Sequence, residues 1–156
     1  MPLAGAFNDM KQAILSFDLS PGFHAGNEWA KVAEAYFQNG TNPVWADLSA
    51  GKAQFAATMG QEIPADPMPA AAIIFANAWA AFAGTCVASC SPGLPGFIPP
   101  IAPPPNPPTF TWSAPADTVD AQVTQLLADL TTWVNAGTVA VPPPGPGSPI
   151  PTPPWT

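Results

Sequence analysis

Residues 70–88 read AAAIIFANAWAAFAGTCVA, nineteen residues without a charge, in which Asn77 and Thr85 are the polar side chains. Phe75, Trp79, Phe82 and Cys86 recur at four-three-four spacing and so fall on one stripe of an α-helix. Ala72, Ala76, Ala80 and Gly84 fall every fourth residue on a neighbouring stripe, where a partner backbone has room to approach closely. A helix apolar on every side has to be buried on every side. The stretch is therefore either the central helix of a domain or a membrane span.

Its length suits a span, at about 19 residues, but its strength does not. Nine of the nineteen residues are alanine, which adds almost nothing to insertion. Ile73, Ile74, Phe75, Phe82 and Val87 contribute only about 0.3 to 0.6 kcal/mol each, and Asn77 opposes them. No lysine or arginine lies close on either side to orient a span. A buried helix is the better reading, and the other segments have to cover it.

Before it, Leu3, Phe7, Met10, Ile14 and Phe17 repeat at four-three-four-three spacing, with Asp9, Lys11 and Gln12 on the wet side, which predicts an amphipathic helix stopped by Ser20-Pro21-Gly22. Asn27 reads as the N-cap of a second helix running through Gln38, with Trp29, Val32, Ala33 and Phe37 inward. A third is expected from about Val44 to Met59, carrying Trp45, Leu48 and Phe55. Pro64, Pro67 and Pro69 predict an extended linker into the central helix.

After it, nine of the seventeen residues from Pro92 to Pro108 are proline, interleaved with Leu94, Phe97, Ile98 and Ile101. Such a stretch favours polyproline II and reaches on the order of 50 Å at about 3.1 Å per residue. A pure linker is polar, whereas these side chains seek a groove. Thr109-Phe110-Thr111-Trp112 reads as a short strand or a continuation of the arm. A last helix begins near Ala116 or Asp117, buries Val119, Val123, Leu126, Leu130 and Trp133 or Val134, and closes at Gly137. A second proline-rich arm runs from Pro142 to Thr156.

The predicted architecture is mainly α: a compact helical body of four to five helices with two extended proline-rich arms. Residues 1–91 form the body, 92–115 an arm, 116–137 a helix packing on the body, and 138–156 the C-terminal arm. Phe97, Ile98, Ile101, Phe110, Trp112, Ile150 and Trp155 are the expected anchors onto partners, since buried aromatic side chains dominate interface energies.

Charge narrows the function classes. Charged residues make up 8% of the chain, against about 25% in typical soluble domains, and 24 residues are proline. Lys11, Lys31 and Lys52 are the only lysines, arginine is absent, and the net charge is -7. Nucleic acid and anionic membranes are bound through Lys and Arg, so neither is an expected partner. A surface so poor in charge calls for cover by other subunits, by the arms, or by both. The N-terminus lacks the basic region and long apolar core of a secretory signal, so synthesis and retention in a cytoplasm are expected.

No catalytic signature appears. Cys86 and Cys90 lie four apart, but zinc needs four ligands and His24 is the single histidine. Free thiols are the simplest reading; a disulfide would need a local break near Gly84. His24 sits in the turn Pro21-Gly22-Phe23-His24 without a nucleophile beside it in sequence. The carboxylate pairs Asp117 with Asp120 and Glu62 with Asp66 suit helix capping and linker solvation. No cofactor, metal or small-molecule substrate is expected.

A helical body, two arms with apolar anchors and a charge-poor surface describe an assembly subunit that reaches onto its neighbours. In the helix ending Trp133-Val134-Asn135-Ala136-Gly137-Thr138, the proline-rich extension and the Trp155-Thr156 end, the chain resembles small accessory structural proteins of tailed bacteriophage particles, T4-like ones especially. That resemblance implies a virion location, in tail, baseplate or capsid, with other virion proteins and copies of the chain itself as partners. Two other readings stand beside it. One is a small membrane-associated protein anchored by residues 70–88. The other is an adaptor presenting polyproline II ligands, for which Pro100 to Pro103 has the spacing but lacks the usual basic neighbour.

Overall fold

The aromatic residues of three helices meet at one centre in the computed structural model, which describes residues 2–17, 25–41, 44–45, 47–60, 67–86, 90–91, 101–111, 118–139, 145–149, 151 and 153–156. A 3-10 turn, Pro2–Ala6, leads into α1, Phe7–Leu15; α2 spans Ala25–Phe37, α3 Ser49–Met59, α4 Pro67–Cys86 and α5 Val119–Val134. Two antiparallel two-residue pairings complete the described elements. Strand β1, Val44–Trp45, pairs with β2, Cys90–Ser91, and β3, Ile101–Ala102, pairs with β4, Thr138–Val139. The chain is mainly α, as its periodicities predict.

The centre is built where α4 lies against α3, and α3 against α2. Phe82 stacks on Phe37 with centroids 5.0 Å apart and planes 8° from parallel. Trp79 takes Phe55 edge-on at 5.5 Å and Tyr36 at 5.9 Å. Phe75 reaches Trp29 at 4.9 Å. Phe55, Trp79, Phe82, Tyr36 and Phe37 are fully buried; burying each large apolar side chain favours folding by about 1.5 to 3 kcal/mol. Helix α1 joins α2 and α5, with Lys11 Nζ 2.5 Å from Asp120 Oδ1 and Asn39 Nδ2 donating to Asp9 Oδ2 at 2.9 Å.

Four predicted boundaries are corrected, each by tertiary packing or termination chemistry. Helix α2 begins at Ala25, so Asn27 lies inside it and is exposed rather than capping. The extra turn is fixed by Gly26, where a Cβ would stand 2.9 Å from Met59 Cβ and 3.1 Å from the Ala56 carbonyl oxygen. The third helix starts at Ser49, not Val44, because Trp45 is drawn out of the helical path into β1, against Phe37 and Trp155. Pro67 and Pro69 are not linker: they form the first turn of α4, where backbone N–H groups have no partner within the helix and proline loses nothing. Helix α5 is capped by Thr118, whose Oγ1 accepts from the Ala121 N–H at 3.2 Å. Pro64, Asp117, and Val87 and Ala88 at the predicted end of the central helix, lie outside the described residues.

Helix α4 is not enclosed on all sides. Phe75, Ala78, Trp79, Phe82 and Ala83 are buried, whereas Ala72, Asn77 and Gly84 are exposed and Ile73 is 60% exposed. The helix hides its aromatic stripe together with Ala78 and Ala83 and leaves Ala72, Ile73, Asn77 and Gly84 outside, so uniform apolarity did not require uniform burial.

Candidate interaction site

Residues 101–111 and 153–156 of the two proline-rich stretches lie against their own body. Ile101–Ala102 runs beside Thr138–Val139 rather than as free polyproline II, since neither residue is a proline and both keep their N–H groups. Pro104 and Pro108 are buried. Trp133 Nε1–H donates to the Asn106 carbonyl oxygen at 2.5 Å, fixing the stretch across α5. Phe110 tilts onto Phe75 with centroids 5.0 Å apart. Beyond it Asp129 brackets Thr111, accepting the backbone N–H at 2.9 Å and the hydroxyl at 3.0 Å.

The C-terminal residues occupy a socket. The turn that follows α5 closes on Gly137, whose N–H donates to the Val134 carbonyl at 2.9 Å. The indole of Trp155 lies over that glycine, where a Cβ would stand 2.8 Å from the ring. Trp155 Nε1–H donates to the Thr138 carbonyl at 3.1 Å, and its backbone N–H to the Gly137 carbonyl at 3.0 Å. Val139 N–H donates to the Pro153 carbonyl at 3.1 Å, and Thr41 N–H to the Thr156 carbonyl at 2.7 Å. Trp45 meets the indole edge-on at 5.0 Å. Trp155 is thereby 1% exposed.

Of the seven expected anchors, Phe110 and Trp155 thus find their surfaces on their own chain, and the backbone of Ile101 pairs with that of Val139. Phe97, Ile98, Trp112 and Ile150 lie outside the described residues, as does His24. The socket's other wall, Thr41 and Trp45, carried no signal in sequence. More than a hundred residues separate Trp45 from Trp155, and the pattern around Trp45 reads as helix.

Beside the socket an open cleft of about 410 Å³ is lined by Glu34, Gln38, Trp45, Asp47, Leu48, Ser49 and Lys52. Lys52 Nζ lies 2.7 Å from Glu34 Oε2 across it. Asp47 Oδ1 accepts the Ser49 N–H at 2.8 Å, and hydrogen bonds from Ser49 hold the Asp47 carboxyl below the usual carboxylate range. Lys31 pairs with Glu28 and Lys11 with Asp120, so every lysine of the chain is engaged within it.

The outer faces of α3 and α4 differ in kind. Ala50, Ala53, Gln54 and Ala57 on α3 and Ala72, Ile73, Asn77 and Gly84 on α4 are exposed, and none is charged. Among the described residues no group of three His, Cys, Asp or Glu side chains is placed to hold a metal ion. No described helix is long and apolar enough to cross a membrane. Cys86 closes α4 and Cys90 opens β2.

No protein-family model, curated protein or solved structure matches the chain.

Proposed function

We propose that the chain is a non-enzymatic structural subunit of a large assembly, a virion protein of the tailed-bacteriophage kind located in tail, baseplate or capsid. The observation that carries this reading is the state of its surface. All three lysines are spent on carboxylates of the same chain, and the outer faces of α3 and α4 expose uncharged side chains with Ile73 among them. Free domains keep a charged surface for solubility, and the centres of protein interfaces are depleted of charge. Small residues on those two helices let a neighbouring backbone come close. The burial of Pro104 and Pro108 counts against the adaptor reading, because a ligand stretch has to be presented rather than packed away.

The test is fractionation of a lysed, infected culture on a density gradient, with the chain followed by antibody. Co-sedimentation with particles, retained after washing in high salt, is the expected result. Recovery of the chain among small soluble species, or only in detergent-extracted membranes, would overturn the reading.

A further inference from the structure

We propose that the socket around Gly137 is an exchange site, which accepts residues 153–156 of a second copy in place of the chain's own and so joins two copies by reciprocal tails. This deepens the assembly reading, on which it rests, by naming the partner as another copy and the contact as this socket.

The key and the lock are separate pieces of chain. The hydrogen bonds of Pro153, Trp155 and Thr156 and the ring contacts of Trp155 described above are made with Thr41, Trp45, Gly137, Thr138 and Val139. Each of these bonds forms equally well with a tail from another molecule, so exchange leaves the contact energy unchanged. Recognition is built as strand addition. Thr138–Val139 pairs on one side with Ile101–Ala102, and on the other Val139 donates to Pro153 while Thr138 bridges to Pro154. Main-chain bonds supply the grip, and an indole over a glycine that admits no Cβ supplies the specificity.

The connection decides which copy's tail enters. In the closed molecule the chain returns through a turn, in which Ser148 N–H donates to the Gly145 carbonyl at 3.1 Å and Gly147 holds φ at +82°. With Pro146 before it, this is a type II turn, which requires a glycine-like φ at that position. The same connection is rich in proline, which favours extended chain. Opened at the turn, the fourteen residues from 140 to 153 reach on the order of 50 Å, far enough for the socket of an adjacent copy.

The experiment pairs two full-length variants. Gly137→Leu fills the socket but keeps the tail, and Trp155→Ala keeps the socket but lacks the indole. Each alone is expected to be a monomer by light scattering, and an equimolar mixture is expected to give a one-to-one heterodimer. Two folded variants, judged by circular dichroism, that stay monomeric on mixing would overturn the exchange. A third variant keeps the test decisive should either fail to fold. Gly147→Val leaves key and lock intact but strains the closed turn, and is expected to raise the dimerisation constant about tenfold or more. An unchanged constant would overturn the proposal. Wild-type oligomers that persist in Trp155→Ala would also overturn it while leaving the assembly reading in place, whereas absence from particles removes that reading alone.

Discussion

A Cβ placed on Gly40 would lie 2.6 Å from Nε1 of Trp45, so the turn that ends α2 is closed by an indole that only glycine admits. The Phe37 carbonyl oxygen, 3.2 Å from the same point, blocks escape on the other side. Gly40→Ala therefore acts as overpacking, and about 1 to 3 kcal/mol of stability is expected to be lost in denaturant unfolding. Because Trp45 also walls the socket, the change should expose Trp155 as well, and a red shift of tryptophan emission before global unfolding would register it. A variant with wild-type stability would show that Trp45 does not hold this position.

Helix α4 offers an internal control for the difference between core and surface. Phe82 is fully buried and stacked on Phe37, whereas Ile73 is 60% exposed. Phe82→Ala removes a ring whose neighbours are other rings, and about 3 to 5 kcal/mol is the expected cost. Ile73→Ala in the isolated chain should fall within about 0.5 kcal/mol of wild type. A large loss at Ile73 in the monomer would mean that this face is covered by the chain itself.

That contrast also marks how far the sequence could be read. The stripe Phe75, Trp79, Phe82 was legible because helical spacing alone places it on one face. So were the inward residues of α2 and α5, where polar side chains alternate with apolar ones and fix the register. What alanine does on a helix was not legible: Ala72 and Ala78 look alike in sequence, yet one is exposed and the other buried. The socket failed to appear for a different reason. Trp45, Gly137 and Trp155 are brought together by long-range pairing, and no local spacing records which indole will lie on which glycine.

The bracket at Thr111 separates local order from global stability. Asp129 accepts both the Thr111 amide and hydroxyl, and Gln125 Nε2 donates to that hydroxyl at 2.6 Å. These bonds are exposed, so Asp129→Ala should lower global stability by at most about 1.5 kcal/mol. Its local effect should be larger, since the Thr111 amide loses its acceptor. Hydrogen exchange is expected to show that amide released by more than tenfold, with the core amides of α4 unchanged. Equal acceleration throughout would mean that the bracket holds the whole fold, not one segment.

Tyr36 ties stability to alkaline pH. It is the chain's single tyrosine, fully buried against Phe37 and Trp79. Burial pushes its phenol well above the usual value near 10, an effect that the adjacent Thr131 hydroxyl only partly offsets. Among the described residues neither the Tyr36 nor the Thr131 hydroxyl has a hydrogen-bond partner of ordinary geometry, so a phenolate there is poorly stabilised. Below pH 10 folded and unfolded chains both keep the proton, so the phenol adds no pH dependence. Above pH 10 the unfolded chain releases it while the folded chain holds it, and stability falls as pH rises, by roughly 1.4 kcal/mol per pH unit. Tyr36→Phe should flatten that fall, while any contribution from the three lysines remains in both proteins. Absorbance at 295 nm gives the direct check: the native chain should show no tyrosinate until it unfolds, and a reversible titration near pH 10 in the folded protein would place the phenol in water.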